Sequence, residues 1–169
     1  MTGPGYVFIV GSGRSGTSLM RRILNRSEQI AVCDETLFLT RGPLRAGFQH
    51  TFSRVGDMST DDGARSVVDY VYQGAYEKSF WHWIQNHVDY GLFLRRLLET
   101  DRSDRAFFDL AMALYADGKP VRGEKTPAHI YDVPTLLEWF PEAKVVHMLR
   151  DPRAVFVSKK IKIETGEWN

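Results

Sequence analysis

The chain has 169 residues, of which 43% are hydrophobic and 25% are charged. This length and composition are typical of one globular domain with a hydrophobic core. The formal net charge of +1 excludes an overall electrostatic attraction to nucleic acid or to an anionic membrane, so any anion-binding site must be local.

Cysteine and apolar runs restrict the class of protein further. Cys33 is the only cysteine in the sequence, which excludes an internal disulfide and a cysteine-rich metal site. No apolar run approaches the ~18 residues of a membrane span, and the N-terminus lacks the pattern of a signal peptide. We therefore predict a cytoplasmic protein that binds no metal, no membrane and no nucleic acid.

The first predicted unit is a strand over 6–10, a glycine-rich turn over 11–18 and a helix over 17–26. Glycines allow a sharp turn in which backbone N–H groups converge, and the following helix directs its positive N-terminal end at the same place. The unit therefore predicts an anion site. The predicted core face of the helix consists of Leu19, Met20, Ile23 and Leu24.

Two motifs overlap in this turn. Gly11, Gly13 and Gly16 fit the dinucleotide pattern G-x-G-x-x-G, with acidic residues about 20 positions further on. Gly11 and Gly16 also fit the phosphate loop G-x-x-x-x-G-K-[ST], but Thr17 stands where the lysine is required. A nucleoside triphosphate needs that cation, so an ordinary kinase or ATPase is disfavoured. Arg14 and the neighbouring hydroxyls instead favour a single anionic group.

The remaining elements predict an α/β protein. Strands are predicted over 29–33, 121–124 and 144–149, and helices over 63–78, 90–100, 104–117, 132–140 and from Pro152 to about residue 161. Residues 41–62 are predicted to form a long loop with short helical turns at most. The histidines show no metal-ligand spacing; we expect His147 to pack within its strand, while His129 is an alternative candidate for an acceptor pocket.

Four ordered motifs carry a resemblance to a known family. They are the loop 11–18, Cys33-Asp34-Glu35-Thr36, Gly123-Glu124-Lys125-Thr126-Pro127, and Arg150-Asp151-Pro152-Arg153 with Ser158 eight residues after Arg150. From about residue 6 to 163 the chain resembles sulfotransferases that use 3′-phosphoadenosine 5′-phosphosulfate (PAPS). Its arginine-containing loop is most similar to those of the tyrosylprotein and carbohydrate branches.

This resemblance implies a P-loop-like three-layer fold, in which helices flank a short central parallel sheet. It implies a single sulfotransferase-like domain over 1–169, with a helical insertion at about 41–118. It also implies that the C-terminal segment that usually closes over the adenosine end is absent from this chain.

The resemblance also implies the roles of the site residues. The 5′-phosphosulfate would be held by Arg14, Ser15, Gly16, Thr17 and Ser18. Glu35 would be the general base for the acceptor hydroxyl, with Asp34 as a competing candidate, because a carboxylate is ionised at neutral pH. Lys125, with Arg14, would stabilise charge on the leaving phosphate. Arg150 and Ser158 would bind the 3′-phosphate.

The leading hypothesis is therefore a metal-independent sulfotransferase that transfers a sulfuryl group from PAPS to a hydroxyl and releases 3′,5′-adenosine diphosphate. One alternative is an NAD(P)-dependent oxidoreductase that uses the G-x-G-x-x-G pattern, and another is a non-catalytic nucleotide-binding module. The sequence specifies neither the acceptor class nor the oligomeric state.

Overall fold

The computed structural model describes residues 4–39, 41–42, 45–46, 48–73 and 80–166. Within 41–51 the description covers the backbone only. The strands are β1 (Gly5–Gly11), β2 (Ile30–Cys33), β3 (Arg41–Gly42), β4 (Arg45–Ala46), β5 (Val121–Lys125) and β6 (Lys144–Met148). The helices are α1 (Thr17–Leu24), α2 (Phe48–Val55), α3 (Asp61–Tyr72), α4 (Phe80–His87), α5 (Tyr90–Leu98), α6 (Asp104–Ala116), α7 (Val133–Trp139) and α8 (Pro152–Glu164). A 3₁₀ helix over Pro127–Asp132 precedes α7.

A parallel sheet lies at the centre of the fold. Within the described residues its strand order is β2-β5-β1-β6. Phe8 of β1 lies opposite Glu124 of β5, and Gly11 lies opposite Met148 of β6. The four strands of this sheet all point the same way. The residues that follow β1, β2, β5 and β6 therefore meet at one edge, where open α/β folds bind ligands.

Helices cover both faces of this sheet, which gives the predicted α/β architecture. On one face, Phe8 and Cys33 join a large aromatic core with helices from the middle of the chain. On the other face, Ile9 and Val32 pack with Met20 and Leu24 of α1. Leu19 and Ile23, which the sequence placed on the core face of α1, are instead more than half exposed, so that prediction was wrong. Only one narrow side of this short helix contacts the sheet.

The middle of the chain is more regular than predicted. The predicted loop over 41–62 contains the β3–β4 hairpin and α2, and α4 was not predicted. Phe80 and Trp81 of α4 are buried in the aromatic core, which explains the aromatic density of this region. Capping side chains begin the other helices: Thr60, Asp89 and Ser103 each accept a backbone hydrogen bond at the first turn of α3, α5 and α6.

No helix in the described ranges is long and apolar enough to cross a membrane.

Candidate active site

The glycine-rich loop joins β1 to α1 in a conformation that glycine makes possible. Gly11 has a φ of +143°, and a Cβ atom there would lie 2.5 Å from the Met148 carbonyl oxygen. Gly16, immediately before α1, has a φ of +100°. Arg14 also has a positive φ of 73°, which a residue with a side chain adopts only where its surroundings impose it. The observed shape of the loop therefore depends on glycine at positions 11 and 16.

The N-terminus of α1 is open to a ligand. No side chain caps this helix within the described structure, and the buried Ser15 hydroxyl instead donates to the Ser12 carbonyl oxygen at 2.6 Å. The first N–H groups of the helix are consequently left for an external acceptor, at the positive end of the helix dipole. The predicted anion site thus has the backbone that phosphate and sulfate groups require.

Residues from the C-terminal part of the chain converge on this loop. Arg14 Nε donates to Ser158 Oγ on α8 at 2.9 Å. Arg150 Nη1 donates to the backbone oxygen of Arg14 at 3.0 Å. Arg150 and Ser158, which lie eight positions apart, also line one groove of about 530 Å³ beside the loop. The structure therefore brings together the loop and the two residues predicted to hold a second anionic group.

A buried lysine holds the two candidate carboxylates. Lys125 Nζ lies 2.7 Å from Asp34 Oδ1 and 2.7 Å from Glu35 Oε1, and its side chain is only 3% exposed. Asp34 also pairs through Oδ2 with Arg21 at 3.1 Å. Among the described ion pairs, Lys125 makes none with its sequence neighbour Glu124. The lysine contacts the acidic residues that follow β2 instead.

The two carboxylates differ in what remains available for chemistry. Both oxygens of Asp34 are used, by Lys125, by Arg21 and by the Glu35 N–H group. Burial acts to raise the pKa of Asp34, but the hydrogen bond and charge of Lys125 and the charge of Arg21 lower it overall. Glu35 uses Oε1 for Lys125, while its Oε2 has no partner in the described part of the chain. Glu35 is therefore the carboxylate with a free oxygen.

A cleft of about 720 Å³ connects the loop with Glu35. Its volume lies within the range of about 300–1,000 Å³ that is typical of small-molecule sites. The cleft is lined by Gly11, Ser12, Gly13, Arg14, Thr17, Ser18, Glu35, Pro127, Ala128, Ile130, Tyr131, His147 and Lys162. Of the predicted site residues, Arg14, Thr17, Ser18 and Glu35 contact the cleft directly. Lys125 lies behind Glu35, and Arg150 and Ser158 lie in the adjacent groove.

Three ionisable lining residues were not predicted to belong to the site: His147, Tyr131 and Lys162. His147 was expected to pack within its strand, but β6 is an edge strand and the ring is exposed, so that prediction was wrong. Lys162 lies four residues after Ser158, one helical turn along the same face of α8, and this spacing could have revealed it. Tyr131 is 78% exposed on the 3₁₀ helix.

The strand order distinguishes between the two interpretations of the glycine motif. In a dinucleotide-binding fold, β1 and β2 are neighbours, so that the acidic residue after β2 reaches the ribose of a ligand bound at the glycine turn. Here β5 lies between β1 and β2. Asp34, the first acidic residue after β2, is also fully engaged by cations. The oxidoreductase alternative is therefore not favoured.

Comparison with known proteins decides the family. A sequence model of the sulfotransferase family matches residues 4–169. The chain belongs to the sulfotransferase family. A search of curated proteins finds no match. Among solved structures, the chain is similar to the sulfotransferase STF9 from Mycobacterium avium, with 16% sequence identity and a TM-score of 0.43, over 90% of this chain and 44% of that one. The chain thus spans less than half the length of that structure.

Cationic side chains gather around the candidate site of this member of the sulfotransferase family. Within the ranges that the structure describes, no group of three or more His, Cys, Asp or Glu side chains is placed to hold a metal ion. Arg14, Lys125, Lys162 and Arg150 all lie in or beside the cleft and the adjacent groove.

Proposed function

We propose that this sulfotransferase transfers the sulfuryl group of PAPS to an acceptor hydroxyl, with Glu35 as the general base. The observation that carries the proposal is the cleft that Glu35 and the Arg14 loop both line. Sulfuryl transfer depends on positioning the reactants, on stabilising charge and on a base for the acceptor hydroxyl. A cleft that contains both an anion-binding loop and a carboxylate base can provide these functions.

The residues present fit the donor at both of its anionic ends. The uncapped N-terminus of α1, with Thr17 and Ser18 beside it, supplies N–H and O–H donors for the 5′-phosphosulfate. Arg150 and Ser158 supply a guanidinium and a hydroxyl for the 3′-phosphate, and their contacts with Arg14 keep them close to the loop. PAPS, when bound, supplies a sulfuryl group on a phosphate leaving group.

The contacts of the remaining residues support the roles that we propose for them. The free Oε2 of Glu35 accepts the proton of the acceptor hydroxyl as its oxygen forms a bond to sulfur. The bond between sulfur and the bridging phosphate oxygen breaks, and the phosphate keeps the electron pair. Arg14, which lines the cleft, and Lys125, which lies behind Glu35, are the cations proposed to stabilise this developing negative charge. Lys125 also holds Glu35 Oε1, so one lysine can orient the base and balance its charge.

Transfer of ³⁵S from labelled PAPS tests this proposal. The acceptors are a simple phenol, a monosaccharide and a tyrosine-containing peptide, which sample the acceptor classes of the similar branches. We expect transfer to at least one of them and a loss of about 10²-fold or more in kcat for Glu35→Gln. Asp34→Asn is the matched control, because it changes the neighbouring carboxylate and leaves Glu35 in place.

Two results would contradict the proposal. Equal losses in Glu35→Gln and Asp34→Asn would mean that Glu35 does not act as the base. Tight binding of 3′,5′-adenosine diphosphate without transfer to any of these acceptors would favour a non-catalytic nucleotide-binding module.

A further inference from the structure

One fully buried carboxylate is not used by the proposed chemistry. Glu124 lies on β5 directly before Lys125, and because side chains alternate along a strand the two point to opposite faces of the sheet. Glu124 is paired in register with Phe8 and Cys33, both members of the aromatic core. A charge at such a position is costly unless it is fully hydrogen-bonded.

Hydrogen bonds satisfy this carboxylate. Its Oε2 accepts from the hydroxyls of Thr126 at 2.5 Å and Thr36 at 2.9 Å, and its Oε1 contacts His129 Nδ1 at 2.5 Å. His129 Nε2 accepts a hydrogen bond from the Leu39 N–H group at 3.1 Å, so the ring proton is on Nδ1 and is donated to Glu124. Burial acts to raise the pKa of Glu124, but its contacts with His129, Thr126 and Thr36 lower it overall.

The same residues hold the segment 34–39, which carries Glu35 and has neither helix nor strand. Thr126 Oγ1 accepts from the N–H groups of Thr36 at 3.1 Å and Leu37 at 3.4 Å. Since both acceptor positions of this hydroxyl are used, its own proton is directed to Glu124. His129 holds the end of the segment through Leu39. Hydrogen bonds to these side chains thus hold a segment that lacks the backbone hydrogen bonds of a helix or a strand.

We propose that Glu124, Thr126 and His129, here named the Glu124 network, are positioning residues that hold Glu35 against Lys125 for proton transfer. The inference rests on the proposed function, and it adds a second set of residues on which turnover depends. Thr36 directly follows Glu35 and is held by two members of the network, so a shift of Thr36 moves the base. A displacement of ~1 Å at a reacting group can lower the rate by about 10²-fold.

The test compares Thr126→Val, which keeps the shape but loses the hydroxyl, with Thr126→Ser, which keeps the hydroxyl. We expect Thr126→Val to lower kcat by about 10–100-fold, with unchanged affinity for 3′,5′-adenosine diphosphate, and Thr126→Ser to restore most of the loss. Thr36→Val and Thr36→Ser form a milder second pair, because Thr36 donates a single side-chain hydrogen bond to the network. This pair keeps the test decisive if Thr126→Val does not fold.

Asp109→Asn is the control for general destabilisation. Asp109 pairs with Arg122 of β5 at 2.6 Å, and Arg122 lies near the opposite end of that strand from Lys125. We expect this variant to lower the melting temperature and to leave kcat unchanged. A loss of kcat in Asp109→Asn as large as in Thr126→Val would overturn the positioning role, as would equal kcat values for Thr126→Val and Thr126→Ser.

Amide hydrogen exchange separates failure of this inference from failure of the proposed function. If the wild-type chain transfers no sulfuryl group, the proposed function fails, but exchange at Thr36, Leu37 and Leu39 still reports on the network. We expect Thr126→Val to accelerate exchange at these amides and to leave β1 protected. Unchanged exchange at all three would overturn the inference whether or not the chain is active.

Discussion

Replacing Lys125 with methionine removes the cation that joins the two carboxylates and keeps most of the side-chain volume. Its Nζ makes two ion pairs of 2.7 Å, but Asp34 is 50% and Glu35 is 44% exposed, so both carboxylates regain water when the lysine is lost. An ion pair in which one partner stays well hydrated contributes little to stability. We therefore expect Lys125→Met to lower the free energy of unfolding by about 1–2 kcal/mol. For a chain of this size that is a fall in Tm of about 2–8 °C.

The expected effect of Lys125→Met on turnover is much larger than its effect on stability. From the proposed roles of Lys125, which are to stabilise developing charge and to orient Glu35, we expect the variant to lose about 10²–10³-fold in kcat. Labelled-sulfate transfer at saturating donor gives kcat, and differential scanning calorimetry gives Tm.

Arg21→Met is the matched control for this prediction. Arg21 pairs with Asp34 at 3.1 Å, so its loss removes an ion pair of the same kind and leaves the contact between Lys125 and Glu35 intact. We expect a comparable or smaller fall in Tm and a kcat within about threefold of wild type. Refutation would come from a Lys125→Met variant that keeps its kcat, or from equal losses of kcat in the two variants.

Three further predictions concern stability. Gly11→Ala should destabilise the protein by about 2 kcal/mol or more in urea unfolding, since φ is +143° and the new Cβ would lie 2.5 Å from the Met148 carbonyl oxygen; a variant as stable as wild type would contradict the loop geometry. Burial acts to raise the pKa of Asp34, but its cationic partners lower it overall. The ionised carboxylate therefore stabilises the protein at neutral pH, and this stabilisation is lost as the pH falls through the lowered pKa. In Asp34→Asn, the free energy of unfolding should decrease less steeply as the pH is lowered. Burial raises the pKa of Tyr72 to about 12, so the free energy of unfolding should decline as the pH rises from about 10 to 12. Tyr72→Phe should remove this decline, and it also loses the hydrogen bond to the Val88 carbonyl oxygen.

Local patterns predicted the elements that position the site. The apolar run before the glycines, and the strands that end at Cys33, near Lys125 and before Arg150, all lie close to their predicted positions. These signals are local, because an apolar run followed by glycine or by a polar residue marks a strand and its end within a few residues of sequence. The α/β class followed from their alternation with helices.

The rest depends on contacts between distant parts of the chain. The position of β5 between β1 and β2 distinguishes the sulfotransferase site from a dinucleotide site, and no local pattern contains it. The contact of Arg14 with Ser158 joins residues 144 positions apart. Lys125 could be expected near the site from its motif, but its pairing with both Asp34 and Glu35 requires the ends of β2 and β5 to be adjacent.

The Glu124 network also depends on contacts that the sequence alone does not reveal. Glu124 in the sequence is one more acidic residue beside a lysine, and His129 was a weak candidate for the acceptor pocket. Only the fold shows that both are fully buried and hold the segment of Glu35. Burial of a charged side chain is decided by the packing of the whole domain, and hydropathy patterns do not report it.

The donor site can be tested by calorimetric binding of 3′,5′-adenosine diphosphate, with 5′-AMP and NAD as control ligands and without added metal. We expect binding that requires the 3′-phosphate and that is lost in Arg150→Ala, while 5′-AMP and NAD bind weakly to both proteins. Equal affinity for all three ligands, or an Arg150→Ala variant that binds 3′,5′-adenosine diphosphate as tightly as wild type, would contradict the assignment of this cleft and groove to the sulfotransferase donor.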